Sequence, residues 1–498
     1  MGMFNIGAEL VERNLREGRG QRPAIWSGGK TLTYSELAVL VDRTGAAFLR
    51  AGVKPEQRVL MVMPDSPELA ACYLAAMKIG AVAVPCNPLL RTADYAYFLE
   101  ESRAALVVTA APLVEKLPRH DKRMLVAGVD LEAFIAEGAE QRLEAAPTSR
   151  DEAAFWLWTS GSTGKPKAAV HSHQDWPHCC ELYGRGILQL QPNDRCYSAS
   201  KLFHAYGLGN ALTFPLWVGA STILSPDRPT PEVVYRNIAE GRPTIFFGVP
   251  TLYAAMLQAK DEPDMKSLRL CVSAGEPLPG DLFSRWKSRF GTEILDGIGS
   301  TEVLHIYVSP RIGSAKPGST GLPVDGYQVR VVDEQGKEVP RGETGDLIVR
   351  GPSTALFYWN RRDQSRAKMR GEWFFSGDKF RQTEDGEFHY VGRSDDMFKS
   401  AGEWISPADV ESALISHSAV LECAVVAQKS ADGLLRPRAH VVLVQGKQGS
   451  PELADELKQH VRAKCAGYMV PREIVFAGEL PKTATGKIQR FLLRDADV

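Results

Sequence analysis

Residues Thr159–Lys167 read TSGSTGKPK and follow directly on the apolar run Ala154–Trp158. Those nine positions hold two glycines, four hydroxyl residues and two lysines. Glycine lets the backbone turn so that successive N–H groups converge on an anion. Hydroxyls add donors and lysines neutralise charge, so the loop is equipped for a polyphosphate; the plain alternative is a polar surface turn. An apolar strand leading into such a loop is the expected setting for phosphate binding. Pro166 follows Lys165, so the string is not G-x-x-x-x-G-K-[ST] and a P-loop NTPase is disfavoured.

On the N-terminal side of this loop the chain alternates between strand and helix patterns. Thr33-x-x-Glu36 is a capping box that opens a helix to about Ala51. A buried strand is expected at Val59–Met63, then a helix from Pro67 that stops at Gly80. A strand at Ala81–Val84, a helix at Thr92–Glu101 and a strand at Ala105–Thr109 continue the rhythm, which argues for a mostly parallel sheet covered by helices. The rhythm resumes from 153 to 300, with strands expected at Ala154–Trp158, Cys196–Ala199, Ser221–Leu224, Thr244–Gly248, Leu268–Ser273 and Glu293–Asp296. A second doubly wound unit is the simplest account. After about 320, short strands at Tyr327–Asp333, Asp346–Arg350 and Glu387–Val391 are separated by glycine-containing turns, which reads as a β-rich subdomain. Residues 404–498 return to α/β alternation, with a helix near Pro407–Ser416, strands at Val420–Ala427 and His440–Val444, and a helix opened by Ser450-Pro451. The expected class is α/β. A large N-terminal domain, residues 1–394, holds two doubly wound sheets plus the β-rich part. A small α+β C-terminal domain, residues 395–498, follows a joint within Gly392–Gly402.

A chain of 498 residues suggests about three domains or lobes and can bury a full core without disulfides. Hydrophobic residues at 44% and charged residues at 24% exclude a disordered, collagen-like or disulfide-scaffold class. The net charge of −1 gives no basic footprint for nucleic acid. Lys78 splits the longest apolar stretches, so neither reaches the ~18–20 residues a membrane span needs. Glu9, Glu12 and Glu17 argue against a signal peptide, and no residue pattern after Gly2 supports myristoylation. Eight cysteines make no C-x-x-C pair, which fits a reducing, cytoplasmic setting with thiols as small core residues.

TSGSTGKPK resembles the phosphate loop of the adenylate-forming superfamily of acyl- and aryl-CoA ligases, peptide-synthetase adenylation domains and luciferases. Ser273–Pro277 (SAGEP), Asp296–Glu302 (DGIGSTE), Ser376–Asp378 (SGD), Tyr390–Asp396 (YVGRSDD) and Pro481–Arg490 (PKTATGKIQR) follow in that family's order, so the likeness spans essentially the whole chain. It implies that ATP and Mg²⁺ activate a carboxylate as acyl-AMP, which then passes to the thiol of coenzyme A. Two anions must meet in the first step, so the site must neutralise charge and position both groups. By resemblance, Thr159, Ser160, Gly161, Ser162, Thr163, Gly164 and Lys167 would hold the β- and γ-phosphates. Thr301 would touch the α-phosphate, and Glu302 would help bind Mg²⁺. Asp378 and Arg393 would contact the ribose, Asp296 the adenine amino group, and the turn with Gly275, Glu276 and Pro277 would flank the base. Lys487 would bridge carboxylate and α-phosphate. Asp395 would be the hinge about which a mobile C-terminal domain rotates, and Gly402, beside Ser400 and Ala401, would line the pantetheine tunnel. Other basic residues between Lys458 and Arg494 are candidates for the phosphates of coenzyme A.

Within that family, DGIGSTEVLHIY (296–307), KLFHAYGLGN (201–210), FGVPTLYAAML (247–257) and DDMFKSAGEWISP (395–407) resemble benzoate–CoA ligases. The implied acyl pocket involves Phe203, Tyr206, Ala274, Gly275, Gly297, Ile298 and His305, a mix suited to a flat aromatic acid. His204 stands where benzoate ligases usually carry Phe and other members a gating His, which makes it a catalytic candidate and favours a hydroxy- or amino-benzoate. Two other readings stay open: an adenylating enzyme that loads an aryl group onto a carrier protein, and an inactive nucleotide-binding scaffold. The oligomeric expectation leaves room for a homodimer.

Overall fold

The computed structural model describes residues 2–137, 142–159, 165–259, 264–400, 403–429, 435–482 and 488–494. Two sheets with parallel cores dominate it. The first has seven strands in the order Phe357–Tyr358, Lys167–Ser172, Ala153–Thr159, Val82–Cys86, Arg58–Val62, Leu106–Ala110 and Arg123–Ala127. The last five of these run parallel. The second has nine strands in the order Leu322–Pro323, Ile306–Ser309, Ile294–Gly299, Leu270–Ala274, Ile245–Gly248, Arg195–Ser198, Ser221–Ile223, Pro23–Ser27 and Lys30–Thr33. It is parallel from Ile294–Gly299 to Pro23–Ser27 and closes with antiparallel strands at both edges.

The local expectations hold at the helix ends. Thr33 and Glu36 form the reciprocal capping box of helix Tyr34–Arg50, and Gly80 follows helix Pro67–Lys78 at φ +75°. Helix Pro67–Lys78 is buried from Leu69 onward, and even Lys78 is enclosed, its charge met by Glu12 at 2.6 Å and by Asp42. The two sheets are not consecutive units, however. Pro23–Ser27 crosses to the second sheet, while Ala153–Thr159 and Lys167–Ser172 belong to the first. Thr159 pairs antiparallel with Lys167, so the quoted loop closes a hairpin. A parallel crossover needs a dozen or more residues, which this loop does not have. Hydrophobic patterning finds such strands but carries no information on which sheet receives them.

The β-rich part has five strands. Gln328–Val332, Thr344–Arg350, Trp373–Gln382 and Met369–Arg370 lie in that order, and Phe388–Arg393 also pairs with Trp373–Gln382. The ten-residue strand Trp373–Gln382 is absent from the sequence expectation, because Ser376-Gly377-Asp378 reads as a turn. In the fold it stays a strand: Gly377 takes φ +81°, and buried positions alternate from Phe374 to Phe380. The C-terminal unit is a three-stranded sheet of Val420–Lys429, Leu435–Leu443 and Glu473–Phe476. Val410 and Leu414 of helix Pro407–Ile415 and Leu457 and Val461 of helix Pro451–Lys464 share a core with Val425 and Val441. Ser450 caps the second helix by accepting from the Leu453 N–H at 3.2 Å. Among the described residues no helix is long and apolar enough to cross a membrane.

Candidate active site

Most of the candidate residues of the second sheet gather at the carboxyl ends of its parallel strands, where open α/β sheets usually bind ligands. Asp296, Gly297 and Ile298 follow one another at the end of Ile294–Gly299, with Ser273 and Ala274 opposite Asp296 and Gly297. Burial pushes the Asp296 carboxyl up to about 7, and the Leu278 N–H and the Ser273 hydroxyl pull it partly back. The Leu278 N–H donates to Oδ2 at 3.4 Å, while Oδ1 is buried without a hydrogen bond among the described residues. Gly275 turns the chain away at φ +93°, leaving Glu276 half-buried and Pro277 exposed.

Beside these strands the β-rich part supplies a charged face. Asp378 and Arg393 are opposite each other on paired strands, and Arg393 Nη1 donates to Asp378 Oδ1 at 3.0 Å. Burial works against the Arg393 charge, but the Asp378 carboxylate overrides it and raises the guanidinium pKa. A Cβ on Gly377 would come within 2.9 Å of Lys368 Nζ and 3.3 Å of Arg393 Nη2, so glycine makes room for two cations. Lys167 sits with its ammonium 4.1 Å from the centroid of the Tyr358 ring, a cation–π distance. Burial lowers the Lys167 pKa, the Glu302 carboxylate raises it, and Lys368 and Arg393 lower it further. Lys167, Lys368 and Arg393 therefore face one site.

Thr301 and Glu302 occupy a short 3₁₀ turn, Thr301–Val303, which Ser300 caps by accepting from the Val303 N–H at 3.2 Å. Its three carbonyls are all held: Thr301 O by His171 Nε2 at 2.8 Å, Glu302 O by the Ala355 N–H at 2.7 Å, and Val303 O by the Ser353 hydroxyl at 2.7 Å. The Glu302 side chain is buried and accepts from the Tyr358 hydroxyl at 2.7 Å. Leu304 leaves the turn at φ +72°, a conformation that costs a non-glycine residue about 1–3 kcal/mol. Strain of that size persists where surrounding contacts over-determine it, and it aims the next residue, His305, inward.

His305 is enclosed by rings, with centroids 4.5 Å to Phe214, 5.2 Å to Tyr183 and 5.8 Å to Tyr206. Among the described residues neither ring nitrogen finds a hydrogen bond of ordinary geometry, and burial pushes its pKa down to about 3, opposed by the Tyr206 backbone. The Tyr206 hydroxyl donates to the Val272 and Gly248 carbonyls at 3.1 and 3.3 Å, which ties it to the sheet. Phe203 and His204 pack ring to ring at 4.2 Å, with His204 at the N-cap of helix Ala205–Leu208.

Thr159 ends its strand opposite Lys167. Ser160, Gly161, Ser162, Thr163, Gly164, Gly402 and Lys487 lie outside the described residues. Asp395 is exposed. Two of the basic C-terminal residues already hold carboxylates: Arg490 grips the buried Glu411 at 2.8–3.2 Å, and Arg494 donates to Asp396 at 2.6 Å. Sequence reasoning missed Tyr358, Lys368 and His171. Tyr358 and Lys368 come from a strand and a helix distant in the chain from the loop, and His171 lies four residues beyond Lys167 on the same strand, outside the motif.

The AMP-binding enzyme model matches residues 11–359, and the AMP-binding enzyme C-terminal domain matches residues 409–487. The chain belongs to the AMP-binding enzyme family. Among similar AMP-binding enzymes is a benzoate–CoA ligase of Thauera aromatica, 46% identical, the match covering 99% of this chain and 96% of the relative. The fold superposes on a benzoate CoA ligase from Burkholderia xenovorans LB400 with TM-score 0.94 at 45% identity, covering 99% of this chain and all of that one. It also superposes on an anthranilate CoA ligase solved with anthranoyl-AMP, with TM-score 0.95 at 39% identity, covering 99% of this chain and 97% of that one.

The residues present fit the groups this family uses. No cluster of three His, Cys, Asp or Glu side chains exists among the described residues, so a structural metal cage is absent there. One buried carboxylate, Glu302, near the cations Lys167 and Arg393 would suit Mg²⁺, which keeps several waters and takes phosphate oxygens as ligands. Asp296 Oδ1 is a buried acceptor that an adenine amino group would fill.

Proposed function

We propose that this AMP-binding enzyme is an ATP-dependent aryl-CoA ligase acting on benzoate or a hydroxy- or amino-benzoate. In the first half-reaction a carboxylate oxygen bonds to the α-phosphorus of ATP and the bond to the bridging β-phosphate oxygen breaks, releasing pyrophosphate. In the second, the sulfur of coenzyme A bonds to the acyl carbon and AMP leaves.

Lys167, Lys368 and Arg393 reduce the repulsion between carboxylate and polyphosphate. Thr159–Gly164 wrap the β- and γ-phosphates, Thr301 meets the α-phosphate, and Asp378 with Arg393 orients the ribose. Mg²⁺ held through Glu302 would stabilise charge on the departing pyrophosphate. Asp296 takes the adenine amino group, with Gly275, Glu276 and Pro277 flanking the base. Lys487 stabilises charge in the transition state of the first step, where such help raises the rate. Phe203, Tyr206, Ala274, Gly297, Ile298 and His305 hold the ring, and His204 closes over the carboxylate.

The observation that carries this reading is the shared strand end. Asp296, Gly297 and Ile298 are consecutive, so a nucleotide site and a ring-lined pocket meet within a residue or two. Residues 1–394 form the adenylating domain and 395–498 the lid that carries Lys487 and the coenzyme A tunnel at Gly402. Asp395 suits the hinge, because Arg393 before it is tied to Asp378 while Asp396 after it is tied to Arg494 and Arg490. Hinges absorb backbone change at a few such residues. The buried thiols at seven of the eight cysteines fit the cytoplasm, and the charge balance fits the absence of a nucleic-acid partner.

A panel of aryl, short-chain and medium-chain acids tests the reading through pyrophosphate release, with and without coenzyme A. Aryl acids should release pyrophosphate, and coenzyme A should convert bound product to free thioester with no carrier protein present. Silence with every acid would reject it.

A further inference from the structure

Strand Lys167–Ser172 delivers a second residue to the site. Lys167 and His171 are four apart, so they lie on one face of the strand. His171 is fully buried, with the Phe155 ring flat against it at 5.2 Å and 10°. Nε2 lies 2.8 Å from the Thr301 carbonyl oxygen, and Nδ1 lies 2.7 Å from Asp175 Oδ2. A carbonyl oxygen only accepts, so Nε2 donates an N–H to Thr301, while Nδ1 faces the Asp175 carboxyl. Asp175 fixes the ring from behind, and is itself held by the Ser172 N–H at 3.1 Å and the Ser172 hydroxyl at 2.6 Å.

The other two carbonyls of the Thr301–Val303 turn are held by Ala355 and Ser353. His171 reaches the turn from the hairpin strand instead, the same strand that carries Lys167. We infer that His171 is a positioning residue for adenylation, a buried donor that locks the Thr301–Glu302 turn in register with Lys167. The inference rests on the reading of that turn as the α-phosphate and Mg²⁺ site. Without the bond, Thr301 and Glu302 would lose their fixed distance to Lys167, and misplacement of about 1 Å far from the reacting atoms can cost about a hundredfold in rate.

Amide variants separate donor from bulk. In His171→Gln the side-chain nitrogen reaches the place of Nε2; in His171→Asn it reaches only that of Nδ1. His171→Phe keeps a ring against Phe155 and has no donor. The Gln variant should keep acyl-AMP formation and the calorimetric Kd for Mg–ATP within about threefold of wild type, while Asn and Phe lose about tenfold or more in both. Thioester formation from supplied aryl-AMP should fall less than adenylation, because pyrophosphate and its metal have already left. Equal behaviour of Gln, Asn and Phe in Mg–ATP binding and in both half-reactions would overturn the inference and make His171 a packing residue. A wild-type protein that binds Mg–ATP but releases no pyrophosphate with any acid would instead remove the ligase reading, and the binding comparison would still judge His171.

Discussion

The nucleotide side and the ring side of the site handle polarity in opposite ways. On the nucleotide side three charges have partners in place: Arg393 on Asp378, Glu302 under the Tyr358 hydroxyl, and Lys167 over the Tyr358 ring. On the ring side His305 is sealed among Phe214, Tyr183 and Tyr206, with neither nitrogen in a hydrogen bond of ordinary geometry among the described residues. A ligand of constant charge can be met by a site built in advance, and pre-set dipoles need no reorganisation during the reaction. A buried polar atom left open costs stability unless a substrate group fills it. Under the proposed function, the ring side would hold the choice between acids and the nucleotide side the rate.

Lys487→Ala should break the nucleotide side most severely, lowering acyl-AMP formation by ~10²–10³ as the loss of one electrostatic stabiliser. Rapid-quench assays should find thioester formation from supplied aryl-AMP largely spared, and equal loss in both half-reactions would remove Lys487 from its role. Asp378→Ala removes the carboxylate that Arg393 holds at 3.0 Å and should lower kcat/KM for ATP by about ten- to hundredfold, with the KM for the acid little changed. Tyr358→Phe deletes one hydroxyl from Glu302 and should raise the Mg²⁺ needed for half-maximal rate by about tenfold, read by metal titration. On the ring side, His305→Phe should keep benzoate turnover while lowering hydroxy- or amino-benzoate turnover by about three- to tenfold in competition assays.

The smallest effect concerns Asp296 at the border of the two sides. Its folded pKa is raised to about 7, so the protonated form suits the fold better. The penalty on the ionised form builds as pH rises from the ordinary carboxylate range and is complete above about 7. Asp296→Asn should therefore melt about 2–4 °C above wild type at pH 8, a gain that shrinks as pH falls toward 5. A gain that is the same at both pH values would mean that Asp296 is not held in that environment.

Much of this contrast is legible in the sequence, unevenly. The composition of the glycine- and hydroxyl-rich loop points to a polyphosphate by itself, whereas Asp296, Thr301, Glu302 and Arg393 are legible only through the family resemblance of the short strings they sit in. Asp378 was legible by motif, but its strand was not, because Ser-Gly-Asp reads as a turn and only the cross-strand partner Arg393 makes it a ladder. Sheet membership was hidden for a related reason: Pro23–Ser27 and Ala153–Thr159 have ordinary strand patterns, and their destinations depend on contacts far along the chain. His171, Tyr358 and Lys368 carry no local signal at all. They matter through what they touch, such as a carbonyl in Thr301 or a carboxylate in Glu302.

The direct test is a single turnover without coenzyme A. Wild-type protein in excess is mixed with Mg–ATP and each aryl acid, quenched, and read by mass spectrometry, then chased with coenzyme A. The expected result is one bound aryl-AMP per enzyme with an equal amount of pyrophosphate, converted to aryl-CoA and AMP on the chase. Pyrophosphate without aryl-AMP, or no product from any acid, would contradict the account.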